Sequence, residues 1–213
     1  MSLFNNVINS LKEKGAIIEE VYFDEKLMKA ILPVYYIIAN AEATANHSNL
    51  TGVDFGRRVN GNSVEEIMMN TRSEGFGPWI KKRFVIGSYA LFEENQERIL
   101  RKAQKIRRLI VNDVMSKLKN ADILIAPASS NVAPLINDTS TNELNDEYLI
   151  ADNHMVIGNF AGLPSMTLPM GYVDGLPVGV NITANPFKED IMFNMAKAIE
   201  ESTGLKGNTK EDF

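Results

Sequence analysis

The chain has 213 residues, enough for one large domain with a buried core. Its 45% hydrophobic and 23% charged residues are the proportions of a folded globular protein and exclude a disordered, collagenous or low-complexity chain. A net charge of −5 sets the long-range field against nucleic acid and anionic membranes, so any RNA contact has to be local, and the lack of cysteine removes disulfides, thiolate metal sites and a Cys nucleophile and suits a cytosol.

The two histidines, His47 and His154, stand too far apart in sequence to pair on one helix, which argues against zinc. The longest apolar run, Ile31 to Ala39, is too short to span a bilayer and holds Pro33, so no membrane segment is expected. The N-terminus lacks the charged-then-apolar layout of a secretory signal.

Leu3, Phe4, Val7, Ile8 and Leu11 recur at helical spacing before Gly15, which predicts an amphipathic first helix with a glycine stop. Ala16 to Tyr22 is β-branched and reads as a short strand. Asp24 is placed to cap a helix entering at Glu25, with an interruption or restart at Pro33. Residues 49–62, rich in Gly, Asn and Asp, read as a loop. Ser63 with Glu66 makes a capping box, worth about 1 kcal/mol, for a helix that should run to about Ser73 before Glu74-Gly-Phe-Gly77 stops it. The next helix opens near Pro78. From Tyr89 to Lys119 the apolar residues step by three or four and predict one long helix. Asp122 to Pro127 reads as a buried strand, residues 129–147 as polar loop, and Ser165 to Leu168 and Val178 to Thr183 as strands around the turn Asp174-Gly175. Phe187 to Thr203 completes the pattern as a helix stopped by Gly204. Helices alternating with isolated strands predict an α/β fold with a central sheet.

Several groups invite a chemical reading. Arg98, Arg101, Lys102, Lys105, Arg107 and Arg108 put six cations in eleven residues of a helix. They suit a phosphate backbone, although a solvated helix face is favoured by the negative total. Ser129-Ser130 follows a strand, a common place for catalytic groups, but lacks flanking glycines and an evident base, so plain loop is favoured. Asp152 and His154, two residues apart, do not share a helical face. His47 has no evident partner and reads as structural or exposed. Glycine-rich phosphate loops are absent: Glu74-Gly-Phe-Gly77 lacks both the preceding strand and the lysine. The most specific pattern is the Gly/Pro block Asn159-Phe-Ala-Gly-Leu-Pro164, Leu168-Pro-Met-Gly171 and Gly175-Leu-Pro-Val-Gly-Val180. So many fixed backbone positions demand a defined path, beside a site or in a rigid hairpin.

That block, with Leu32-Pro-Val-Tyr-Tyr-Ile-Ile-Ala-Asn-Ala-Glu-Ala43, Arg72-Ser-Glu-Gly-Phe-Gly77, Lys82-Arg83, Ile86-Gly87, Lys102-Ala-Gln-Lys-Ile-Arg107 and Asp122 to Pro127, resembles the amidase signature family over about residues 10 to 203. Within it the Tyr-Tyr-Ile-Ile and Ser-Glu-Gly-Phe-Gly pieces are similar to the glutamine-hydrolysing A subunits of tRNA-dependent amidotransferases. The resemblance implies an α/β amidase signature fold, a central mixed sheet flanked by helices, of which residues 1–205 are a C-terminal portion and 206–213 a polar tail. Family members use a Ser nucleophile, a second Ser and a Lys, with the serines in a Gly-Gly-Ser-Ser-Gly-Gly-Ser stretch. This chain has no Gly-Gly pair, so it resembles the C-terminal half, and no catalytic residue is expected in it. Where the family reads Glu-Ala-Ser-Ser-Asn, this chain has Glu42-Ala-Thr-Ala-Asn46, and Thr51-Gly-Val-Asp54 replaces Asp-Gly-Val-Arg.

The resemblance further implies three substrate-binding residues. Tyr35 falls at the Tyr that faces the substrate amide, Arg83 at the Arg that pairs with the glutamine α-carboxylate, and Asp152 at the Asp that holds the α-ammonium. A zwitterion needs one cation and one anion close together, which suits the pair. The less favoured alternatives are that Arg83 is one more surface cation beside Lys81 and Lys82, and that Asp152 serves only as a cap. The implied partners are glutamine, amidotransferase subunits B and C and, through the complex, aminoacyl-tRNA. No cofactor is expected in this chain, ATP and magnesium being used by a partner subunit. Self-association through an uncovered sheet is also expected. A freestanding amidase on another small amide, and a non-catalytic binding or assembly module of the same fold, remain alternatives.

Overall fold

Helix α1 (Ser2–Glu13) opens the computed structural model, which describes residues 1–130, 132–133 and 155–208. Gly15 ends it with φ +94°: its N–H donates to the Lys12 carbonyl and that of Ala16 to the Leu11 carbonyl, closing two of the last orphan carbonyls. The chain divides into two units, Met1–Ile31 with Leu109–Phe213, and Leu32–Arg108.

The first unit is organised by a three-stranded sheet in the order β1-β3-β2, with β1 Ile123–Pro127, β2 Ser165–Val173 and β3 Leu176–Ala184. Asp174 and Gly175, with φ +51° and +77°, form the two-residue turn between β2 and β3, where both positions need positive φ. Period-2 alternation then sorts the strands' residues by face. Leu168, Val180, Ile182 and Ala184 join Val7 and Leu11 of α1 and Met192, Ala196 and Ile199 of the last helix, α8 (Glu189–Thr203), in one buried cluster. The intervening Ser165, Thr167, Asn181 and Thr183 hydrogen-bond among themselves. Short helix α7 (Val156–Ala161) precedes β2 and ends at Gly162, φ +66°.

Helices α2 (Glu25–Asn46), α3 (Val64–Gly75), α4 (Pro78–Leu91) and the short α5 (Glu93–Asn95) lead through a π-helical segment, Gln96–Arg101, into α6 (Lys102–Leu118). The two boundaries between units fall inside α2 and α6. Asp24 caps α2 as its sequence predicts, its carboxylate accepting from the N–H groups of Lys26 at 2.8 Å and Leu27 at 3.1 Å. Ser63 Oγ likewise accepts from Glu66 N–H at 3.2 Å, while the Glu66 carboxylate reaches back to Asn62 N–H at 2.7 Å, one residue beyond the usual box partner.

Four expectations change. Ala16 to Tyr22 is not a strand: among the described residues no strand pairs with it, and Ile17 is 91% exposed. Helix α2 runs through Pro33 without a restart, because Ile31, Val34, Ile38 and Ala41 keep one face buried across the lost N–H donor. The long helix from Tyr89 breaks at Phe92, whose ψ of 137° leaves the helical region. The side-chain amides of Asn95 and Gln96 take over the freed carbonyls of Tyr89, at 2.9 Å, and Leu91, at 3.0 Å. Among the described residues the strand pairs are antiparallel throughout, where a mixed sheet was expected; the α/β class stands. The segment 129–147 lies largely outside the described residues.

Candidate functional site

The site rests on the approach of α4 to α2. Gly87 has no side chain to hold the helices apart, and a Cβ there would overlap the Asn40 carbonyl oxygen and the Thr44 hydroxyl. Thr44 Oγ1 donates to Asn40 O at 2.8 Å and lies 3.4 Å from Phe84 O, tying the two backbones. Asn40 is 2% exposed, and among the described residues its amide nitrogen has no hydrogen-bond partner.

One turn before this contact on each helix stand Tyr36 and Arg83, so the close approach brings them together. The Arg83 guanidinium carbon lies 6.0 Å from the centre of the Tyr36 ring, at the outer reach of a cation–π contact. Tyr35 meets Tyr36 edge to face, ring centres 6.1 Å apart. All three side chains are half-buried. Among the described residues no carboxylate is paired with Arg83. A planar fork of donors beside an aromatic ring, with no anion paired to it among the described residues, suits a ligand carboxylate. Asp152, predicted as the opposite pole, lies outside the described residues, as does His154.

The motif Arg72-Ser-Glu-Gly-Phe-Gly77 builds a second cluster. Arg72 donates to the carbonyls of His47 at 2.8 Å and Leu50 at 3.2 Å, and its guanidinium lies 5.1 Å from the Phe76 ring centre and 5.3 Å from that of Phe84. His47 packs on both rings, with Nδ1 2.8 Å from the Ala43 carbonyl. That makes His47 structural, one of its two expected roles. Sequence reasoning did not single out Tyr36 or Arg72, although both sit inside the quoted motifs. The available signal was spacing, since Tyr36 precedes Asn40, and Arg83 precedes Gly87, by one turn. Ser129 and Ser130 are exposed just beyond β1.

The model of the family described as Amidase matches residues 1–192. The chain belongs to the amidase signature family. It is 36% identical over 99% of its length to the glutamyl-tRNA(Gln) amidotransferase A subunit of Pseudomonas fluorescens (strain Pf0-1), of which it covers 43%. The protein of the same name from Fusobacterium nucleatum is also 36% identical, with 99% of this chain and 42% of that one covered. Among solved structures, the glutamyl-tRNA(Gln) amidotransferase A subunit from Thermotoga maritima superposes with a TM-score of 0.68 at 28% identity, covering 97% of this chain and 39% of that one. A crystal structure described as an amidase gives 0.71 at 19% identity over 95% of this chain and 42% of that one, a likeness of fold. The chain thus spans about two-fifths of the length of these relatives. Among its described residues no helix is long and apolar enough to cross a membrane.

Proposed function

We propose that this amidase-family chain is the C-terminal, glutamine-recognising portion of the A subunit of a tRNA-dependent amidotransferase. The observation that carries the reading is the 36% identity to such subunits across 99% of the chain. In this reading a site completed by the rest of the subunit hydrolyses glutamine in the cytosol. The ammonia passes to a complex with partner subunits B and C, in which a partner subunit uses ATP and magnesium to convert Glu-tRNA(Gln) to Gln-tRNA(Gln).

Within this chain, Arg83 clamps the α-carboxylate, Asp152 the α-ammonium, and Tyr35 faces the side-chain amide. The Tyr36 ring beside Arg83, and a guanidinium that pairs with no carboxylate among the described residues, support the first assignment. Such a clamp rejects amides that lack either charge, because the missing partner leaves a protein charge unpaired.

The test is Arg83→Ala in a protein of the relatives' full length, assayed with its partner subunits. Loss of the clamp should cost on the order of 2–4 kcal/mol, a factor of roughly 30 to 1000 in glutamine-dependent amidation. Amidation driven by added ammonia should be spared. Equal loss with both nitrogen donors would make Arg83 structural, and unchanged glutamine kinetics would defeat the reading.

A further inference from the structure

We propose that the exposed face of the segment Arg98–Arg108 docks an RNA phosphate backbone. Residues 98, 101, 102, 105 and 108 follow one another at steps of three, one, three and three, so they share one face of the π-helical segment and α6. Ala103 and Ile110, on the opposite face, are buried. At about 1.5 Å per residue the stripe is about 15 Å long. Its first turn is already engaged: Arg98 donates to Asn95 Oδ1 at 3.1 Å, and Arg101 pairs with Glu97 at 2.9 Å. Arg107 is half-buried with contacts of its own.

Lys102, Lys105 and Arg108 differ from these. All three are exposed, and among the described residues none has an ion pair or hydrogen bond. No acidic residue occurs from 98 to 108. Like charges at helical spacing repel, so three in a row without an anion favour an external polyanion.

The charge of the whole chain hides this. Residues 32–108 hold twelve Lys and Arg against eight Asp and Glu, a net +4, while the remainder holds ten against nineteen, a net −9. The basic unit can therefore attract phosphate locally although the chain is acidic. A bilayer suits the stripe poorly. Membrane-surface helices insert a broad apolar face, and here the apolar side is buried, with Leu109 the exposed exception beside the cations. The choice of RNA rests on the proposed function, in which an aminoacyl-tRNA is handled by the complex.

The experiment is filter binding of the 213-residue chain to unmodified bulk tRNA at salt concentrations from about 50 to about 300 mM, compared with two triple variants. One carries Lys102→Glu, Lys105→Glu and Arg108→Glu, and the other the same positions changed to Gln, which keeps the helix if charge reversal perturbs it. Loss of three phosphate contacts should weaken binding at least about ten-fold and flatten the slope of log K against log salt by about 2 to 3. Lys26→Gln with Lys29→Gln, two exposed changes in the other unit, should leave both unchanged. No tRNA binding by the parent chain, the same affinity and slope in the folded Gln variant, or stripe-dependent binding to phosphatidylserine vesicles but not to tRNA would each overturn the proposal. Its fate is separable from that of the glutamine site. Stripe-dependent tRNA binding with unchanged glutamine kinetics in Arg83→Ala retains the stripe and removes the function reading, and the reverse pair of results does the opposite.

Discussion

Gly87 lies so close to Asn40 that the backbone of α2 occupies the place where any larger residue on α4 would put its Cβ. The contact fixes the distance between the two helices and, one turn away, places Arg83 against Tyr36. Gly87→Ala should therefore push the helices apart, at a cost of about 1–3 kcal/mol, and more for Gly87→Val. Urea unfolding reads the loss. An alanine variant as stable as the parent would mean that the helices do not meet so closely.

Arg72 serves loop residues 47–50 through two carbonyls and two aromatic faces at once. Arg72→Ala should cost about 2–4 kcal/mol, through the loss of charged hydrogen bonds together with cation–π contact. Arg72→Lys should recover only part, because an ammonium cannot donate as a fork while lying flat on the rings. Limited proteolysis within residues 49–62 gives an independent readout, with faster cleavage expected in both variants. Unchanged cleavage and stability would leave Arg72 without this anchoring role.

Much of this was legible in the chain. The Asp24 and Ser63 caps, the Asp174-Gly175 turn and the glycine stops at Gly15 and Gly204 are local chemistry, and local chemistry is written in adjacent residues. The run from Ala16 to Tyr22 misled because strand formation needs a partner that propensity does not report. The break at Phe92 was hidden for a related reason. Apolar period continued through it, while the deciding events were two side-chain amides reaching carbonyls five and six residues back. Arg83 and Tyr35 came from family resemblance. That Tyr36 lies beside Arg83 depends on how α2 meets α4, a tertiary fact whose trace in the sequence is Gly87 and the one-turn spacings of Tyr36 from Asn40 and of Arg83 from Gly87.

Asn181 holds the polar face of the β2/β3 hairpin together. Its amide nitrogen is 3.0 Å from Ser165 Oγ, 3.1 Å from Met166 O and 3.2 Å from Thr167 Oγ1, and its oxygen accepts from Thr183 at 3.2 Å. At 6% exposure it cannot be replaced by bulk water. Asn181→Ala should cost about 1–3 kcal/mol by leaving partners unsatisfied. Asn181→Asp should cost more, since it removes the donors and turns an anion toward a carbonyl oxygen. Thermal unfolding of both variants ranks them, and an aspartate variant more stable than the alanine one would contradict this network.

The pair Lys14–Glu201 joins the end of α1 to α8 at 3.0 Å. The hydrogen bond from Lys14, and then its charge, hold the Glu201 carboxyl below its ordinary value of 4.5. A carboxyl whose folded pKa is depressed contributes stability that is present above the unfolded value and lost as pH falls through the folded one. The advantage of the parent over Lys14→Met should accordingly be present at neutral pH, begin to shrink near pH 4.5 and vanish below it. Both side chains are partly exposed, at 39% and 55%, so the effect should be small and weaken further in about 1 M salt. Melting temperatures of the two proteins from about pH 3 to about pH 7 at low salt make the comparison, with Glu201→Gln as the control whose gap from the parent should close over the same window. A gap between parent and Lys14→Met that stays constant across that whole range would show that Lys14 acts through its methylene packing rather than through the Glu201 carboxylate.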